Sequence, residues 1–225
     1  MDNKKYIDII LSFDLDNTLI DNREGIVSSF NYALNKFNLP ELEKSEIELM
    51  IGIPLNKMFE RYSNQDTSRL VSAFRSYYRR EGIFRAKLLP GIKSKLKELN
   101  EFFFTLGIIT SKKQEMAEKI IEILGIQDYF DYIIGETEET RDLGKLDPKI
   151  ITFIKKNYSK YKIIIIGDHP KDVLLSNNLS CPFIGVLTGN HSAEQLKEIK
   201  RGKILIIDSV SDLSIENINS LVDET

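Results

Sequence analysis

Residues 7–19 have the sequence IDIILSFDLDNTL, an apolar run that ends in two aspartates, Asp14 and Asp16. A short, largely apolar segment of this kind is typical of a buried strand in a parallel sheet. Ligands bind at the carboxyl ends of the strands in open α/β sheets, so both aspartates are expected at a binding edge. Carboxylates this close repel each other unless a cation or a shared proton relieves the repulsion. A polar loop, with Asp16 or Asn17 capping a turn, is the alternative on these residues alone.

Further apolar runs of strand type recur along the chain, and helical patterns lie between the later ones. The runs are Phe102–Ile109, Ile163–Ile166, Phe183–Leu187 and Ile204–Ile207. Strands that alternate with helices predict an α/β fold with a doubly wound parallel sheet of the Rossmann-like kind.

The segment between about Asn22 and Leu88 breaks this alternation because it has helical spacing and no strand pattern. Helices are predicted over residues 26–37, 46–50, 55–62 and 67–80. The pattern indicates a small helical domain inserted after the first strand, with Leu89-Pro90-Gly91 as a hinge. The predicted core domain therefore comprises residues 1–20 and 89–225, and the predicted helical domain comprises residues 21–88.

Composition excludes several classes of protein. The 225 residues are 42% hydrophobic and 29% charged, as in a folded soluble protein, and the net charge of -3 gives no support for nucleic-acid binding. The single cysteine, Cys181, excludes an intrachain disulfide and a four-cysteine zinc site. The apolar runs are too short to span a membrane, and no signal peptide is recognised, so a cytoplasmic location is expected.

A second carboxylate cluster follows another apolar run, in the sequence Gly167-Asp168-His169-Pro170-Lys171-Asp172. If Asp168 lies at the end of a strand next to the first, it meets Asp14 and Asp16 around one ion. Asp172 is expected near the start of the following helix. There it either caps the helix or supports the metal ligands.

Candidates for holding phosphate occur at two further places. Thr110 and Ser111 follow a predicted strand, where hydroxyls and helix amides can bind phosphate oxygens, although both residues also suit a helix N-cap. Lys145 lies in a predicted loop and can act as a point charge for phosphate, or as a solvated surface lysine.

Taken together, these segments resemble the haloacid dehalogenase (HAD)-like hydrolase superfamily over nearly the whole chain. The four ordered motifs of that family have counterparts here: Asp14, Asp16 and Thr18 in the first; Thr110 in the second; Lys145 in the third; Gly167, Asp168 and Asp172 in the fourth. A helical insertion directly after the first motif resembles the C1-type cap of phosphoglycolate phosphatase-like members. Asn17 departs from the family pattern, which most often has glycine there.

The resemblance implies a phosphatase that acts through an aspartyl-phosphate. Asp14 is then the nucleophile, and Asp16 the acid and base. Mg2+ is held by Asp14, Asp168 and the backbone carbonyl of Asp16. The other roles that it implies are phosphate binding by Thr110, Ser111 and Lys145, and support of the metal shell by Asp172 and Thr18. Substrate choice is expected from cap residues, with Arg23, Gly52 and Pro54 as candidates, although Arg23 also suits a solvated helix start.

The substrate stays open at this stage. A small phosphorylated metabolite, such as phosphoglycolate or a sugar phosphate, is expected as the partner of a monomer or homodimer. A phosphomutase of the same superfamily is the nearest alternative. A non-catalytic regulatory protein on this fold is another, because fold alone does not guarantee activity.

Overall fold

The structure is a computed structural model that describes residues 8–62, 67–102, 104–140 and 144–222. Two residues of the predicted strands, Ile7 and Phe103, lie outside the described residues. The helices and strands, in chain order, are β1 (Ile9–Phe13), β2 (Ile20–Asp21), α1 (Arg23–Lys36), α2 (Lys44–Glu48), α3 (Leu55–Glu60), α4 (Thr67–Arg80), β3 (Lys87–Leu88), α5 (Ile92–Glu101), β4 (Thr105–Lys113), α6 (Gln114–Ile123), β5 (Tyr132–Glu136), α7 (Pro148–Asn157), β6 (Lys162–Gly167), α8 (Pro170–Leu179), β7 (Phe183–Val186), α9 (Ala193–Ile199), β8 (Ile204–Ile207) and α10 (Ile215–Val222). No helix within the described ranges has both the length and the apolar character needed to cross a membrane.

Six strands form one sheet in the order β5-β4-β1-β6-β7-β8, and each neighbouring pair is parallel. The chain adds β4 and β5 on one side of β1, and it then adds β6, β7 and β8 on the other side. The strand order therefore reverses between β1 and β6, which leaves a crevice at their carboxyl ends. This topology confirms the predicted doubly wound parallel sheet.

Four strands differ from the predictions. The two-residue strands β2 and β3 were not predicted, and β3 falls within the segment that was expected to lack strands. β4 begins at Thr105 rather than Phe102, because α5 continues to Glu101, and it extends through the predicted loop residues as far as Lys113. β5 was not predicted at all. Its sequence, YIIGE, has only three consecutive apolar residues, fewer than the apolar runs that predicted the other strands.

One face of the sheet is covered by α7, α8 and α9. Ile154 of α7, Val173 of α8 and Leu196 of α9 belong to one buried cluster, together with the sheet residues Ile165 and Phe183. Burying such side chains contributes roughly 1.5–3 kcal/mol each. The packing holds α8 against β6, and so fixes the first turn of α8 beside the end of that strand.

The chain separates into two compact units, of which the smaller is Asp21–Lys87. Within that unit α1 packs against α4, and an aromatic cluster fills the interior. The rings of Phe30 and Phe59 stack with their centroids 4.2 Å apart, and those of Phe74 and Tyr78 stack at 5.8 Å. The larger unit holds the chain up to Ile20 and from Leu88 onward. The role of the smaller unit as a substrate-covering cap stays a prediction.

Candidate active site

The carboxyl ends of β1 and β6 bring Asp14 and Asp168 together. Their register pairs Phe13 with Ile166, and the Asp14 amide donates to the Ile166 carbonyl at 2.8 Å. Asp168 follows β6 directly, and both aspartate side chains are buried. Asp172, in the first turn of α8, completes the group, since one carboxylate oxygen from each aspartate lies within 4.8 Å of the others. Three aspartates from two sequence clusters thus form one buried site.

A buried lysine lies among these carboxylates. The ammonium of Lys145 is 2.8 Å from Asp14 Oδ1 and 2.6 Å from Asp172 Oδ1, and its residue is only 2% exposed. Burial would lower the pKa of Lys145, but the charges of Asp14 and Asp172 outweigh burial and raise that pKa above its ordinary value. Lys145 is therefore expected to stay protonated. Since it is buried, its alternative interpretation as a solvated surface lysine is wrong.

The site carries more negative than positive charge. Burial, followed by the charges of Asp14 and Asp172, raises the pKa of Asp168 well above its ordinary value. Burial also raises the pKa of Asp172, to about 7, although Lys145 opposes that rise. Three carboxylates against one ammonium leave two excess negative charges when all are ionised. This oxygen-rich, over-charged group fits a hard divalent cation.

Asp172 caps α8, which is one of the two roles that its sequence position suggests. Its Oδ2 accepts a hydrogen bond from the His169 amide at 3.1 Å, so it belongs to the cap of α8. Its Oδ1 accepts from Lys145. Both oxygens of Asp172 therefore have partners within the protein, and its support of the metal ligands stays a prediction. Gly167 makes room for this arrangement, since a Cβ on it would lie 2.8 Å from the Cβ of Asp172.

The turn after β1 supports Asp168 from the other side. Thr18 is fully buried, and its hydroxyl donates to Asp168 Oδ1 at 3.1 Å. The turn passes through Asn17, whose φ of 58° lies in the left-handed region that glycine and asparagine tolerate best. The glycine that the resemblance leads one to expect at this position would suit the same backbone, and Asn17 adopts it.

Asp16 faces a lysine that the sequence analysis did not single out. Lys112 Nζ lies 3.1 Å from Asp16 Oδ2, and the side chains of Lys112 and Asp16 are only 11% and 23% exposed. The carboxylate of Asp16 is not part of the three-aspartate group. Its assignment as a metal ligand rests on its backbone carbonyl and stays a prediction. Its position directly after the predicted phosphate-binding residues Thr110 and Ser111 could have indicated that Lys112 lies at the site.

Thr110 and Ser111 lie in the last part of β4 and do not cap a helix. The helix α6 starts later, with Lys113 at its N-cap and no side-chain capping bond. Thr110 is buried, and its hydroxyl accepts from the Lys112 amide at 3.2 Å. The Ser111 hydroxyl is also buried, and among the described residues it makes no hydrogen bond. The N-cap alternative is therefore wrong, while phosphate binding stays a prediction.

The loop after β7 packs on the same site and was not found from the sequence. The Thr188 hydroxyl donates to the Asn17 carbonyl. Gly189 lies against Asp168, where an added Cβ would be 2.6 Å from the carboxyl carbon. The rings of His169 and His191 meet edge to face, with their centroids 4.6 Å apart. In the sequence, the sole indication of this loop's contact with the site is Thr188-Gly189 within a polar stretch.

The three cap candidates lie in the smaller unit. Asp21 holds Arg23 through both of its oxygens, at 2.9 Å from Nε and 2.6 Å from Nη2, so Arg23 is not simply solvated. Gly52 has a φ of 102°, and Pro54 precedes α3 as its N-cap. Their contribution to substrate choice stays a prediction.

Comparison with known proteins identifies the family of the chain. The family model described as "Haloacid dehalogenase-like hydrolase" matches residues 10–186, which include every aspartate of the site. The chain belongs to this HAD-like hydrolase family. The resemblance found in the sequence is thereby confirmed.

Relatives of this HAD-like hydrolase include the "Probable phosphatase IndB" of Dickeya dadantii, which is 28% identical over 91% of each chain. The "Phosphoglycolate phosphatase" of Photorhabdus laumondii is 25% identical over 83% of each chain. Among solved structures, a predicted phosphatase from Clostridium acetobutylicum is 30% identical and superposes with a TM-score of 0.77. That match covers 95% of this chain and 97% of the other.

Proposed function

We propose that this HAD-like hydrolase is a Mg2+-dependent phosphatase that removes the phosphoryl group from a small metabolite through an aspartyl-phosphate on Asp14. The observation that carries the proposal is the group of three buried carboxylates around the buried Lys145 ammonium. The phosphatase names of the relatives support the reaction class.

In the first step a carboxylate oxygen of Asp14 attacks phosphorus, and the bond between phosphorus and the leaving oxygen breaks. Asp16 gives its proton to that oxygen. In the second step Asp16 takes a proton from water, whose oxygen attacks phosphorus and releases the Asp14 carboxylate. The two steps restore both aspartates and yield inorganic phosphate and an alcohol.

The remaining side chains hold the reactants. Lys145 contacts Asp14 directly, so it offsets charge on the nucleophile and on the phosphoryl oxygens. Thr110 and Ser111 offer buried hydroxyls to the same oxygens. Asp14, Asp168 and the Asp16 carbonyl would hold Mg2+, which would neutralise charge and orient the phosphoryl group.

The decisive test measures phosphate release from para-nitrophenyl phosphate, with Mg2+ and with excess chelator. Wild type is expected to turn over only with the metal, and Asp14→Asn is expected to lose all but a trace of activity. Asp8→Asn is the matched control, because Asp8 is exposed and lies next to the opposite end of β1.

Metal-dependent turnover retained by Asp14→Asn would refute the nucleophile. Activity that appears only when a sugar bisphosphate is added would instead favour the phosphomutase. No release from wild type across a broad panel of phosphate esters would refute the phosphatase itself.

A further inference from the structure

Two lysines contact the proposed catalytic aspartates, and they do so from different positions. Lys145 is fully enclosed and bridges Asp14 and Asp172. Lys112 pairs with Asp16 instead, at 3.1 Å, and its side chain retains 11% exposure. In the proposed mechanism Lys145 therefore lies beside the nucleophile, and Lys112 lies beside the general acid.

The position of Lys112 relative to a substrate follows from the role of Asp16. A general acid must come within about 3 Å of the oxygen that it protonates. Lys112 Nζ lies 3.1 Å from an oxygen of that carboxylate. A leaving oxygen within hydrogen-bond distance of Asp16 is therefore also near Lys112 Nζ. In that mechanism the ammonium of Lys112 lies close to the leaving oxygen, whereas that of Lys145 lies beside the nucleophile.

A buried or half-buried ammonium needs an anionic partner. In the described structure Asp16 provides that partner, and the contact holds the Asp16 carboxylate at the lysine. If the leaving group of a substrate has an anionic group near the reacting oxygen, that group can replace Asp16 as the partner of the Lys112 ammonium. The same exchange releases Asp16 to work on the leaving oxygen.

We propose that Lys112 is a specificity-determining residue that selects phosphate esters or anhydrides with an anionic leaving group. The chemical class includes glycolate-type esters, in which a carboxylate lies two bonds from the ester oxygen, and pyrophosphate, in which the leaving group is itself phosphate. This inference rests on the proposed phosphatase function and narrows its substrate class.

The test compares two nearly isosteric substrates, phosphoglycolate and 2-hydroxyethyl phosphate, which differ by a carboxylate against a hydroxymethyl group. Wild type is expected to favour phosphoglycolate in kcat/KM by about 10- to 100-fold, the range expected for one charge-assisted hydrogen bond. Lys112→Met keeps the length of the side chain without its charge, and it is expected to bring the ratio close to one. Lys112→Arg is expected to restore most of the preference.

Lys113→Met is the matched control. Lys113 is the next residue of β4 and pairs with the exposed Glu138 at 3.5 Å, so its loss is expected to leave the substrate ratio unchanged. Because the readout is a ratio within each variant, a general loss of folded protein cancels. A wild-type ratio near one, a Lys112→Met variant that keeps the wild-type ratio, or an equal loss in Lys113→Met would each overturn the inference.

Failure of the proposed function is distinguishable from failure of this inference. If wild type releases phosphate from para-nitrophenyl phosphate but shows no preference for phosphoglycolate, only the role of Lys112 is refuted. If wild type hydrolyses no ester, calorimetric binding of phosphoglycolate in Mg2+ gives the second measurement. Equal affinities of wild type and Lys112→Met, or no binding by either, would then overturn the inference.

Discussion

Gly189→Ala is expected to impair catalysis through Asp168, although Gly189 has no functional group of its own. A Cβ at residue 189 would lie 2.6 Å from the carboxyl carbon of Asp168 and 2.9 Å from its Cβ. Carbon atoms in contact prefer separations of about 3.5 Å or more. Either the Asp168 carboxylate or the loop must therefore move by about 1 Å. A displacement of about 1 Å in a catalytic constellation can cost about 100-fold in rate.

The assay is kcat/KM for para-nitrophenyl phosphate, measured over a range of Mg2+ concentrations. We expect a loss of about 100-fold and a higher Mg2+ requirement, since Asp168 is a proposed ligand. Gly202→Ala is the control. Gly202 has a φ of 87°, and none of the described residues lies within 4 Å of an added Cβ, so that change is expected to cost about 1 kcal/mol of stability without loss of activity. Wild-type activity and an unchanged Mg2+ requirement in Gly189→Ala would refute the reasoning.

Two further predictions concern buried groups. Lys145→Met leaves Asp14 and Asp172 without their cation, so urea denaturation is expected to show about 3–5 kcal/mol lower stability at neutral pH. Without the lysine, the neighbouring carboxyl groups are expected to bind protons more tightly in the folded protein than in the unfolded protein. The loss of stability in Lys145→Met is therefore expected to shrink as the pH falls from 8 to 5. A loss of stability that stays constant over this range would contradict this account. Cys181 is 9% exposed, and burial raises the pKa of its thiol to about 12. Ellman's reagent at pH 8 is therefore expected to react far more slowly with the native protein than in urea, and equal rates would show that the thiol is accessible.

Local patterns account for the parts of the fold that were predicted correctly. The apolar runs that became β1 and β6 are short and end in polar residues, and that pattern needs no knowledge of distant contacts. The edge strand β5 was missed because its sequence, YIIGE, has only three consecutive apolar residues. The extension of β4 past Thr110 was missed because strand ends depend on pairing with a neighbour, here Lys113 with Glu136 of β5.

The order of residues is enough to predict which chemical groups lie at the ends of the strands: Asp14 and Asp16 after one, and Asp168 after another. Chain order and residue type suffice for this, since the carboxyl ends of parallel strands meet at one edge. Tertiary structure alone decided which groups touch. Thr18 and Asp168 are 150 residues apart in sequence yet share a buried hydrogen bond. The pairing of Lys112 with Asp16 was equally hidden, because contacts between distant residues depend on how the elements pack, and packing leaves no local pattern in the chain.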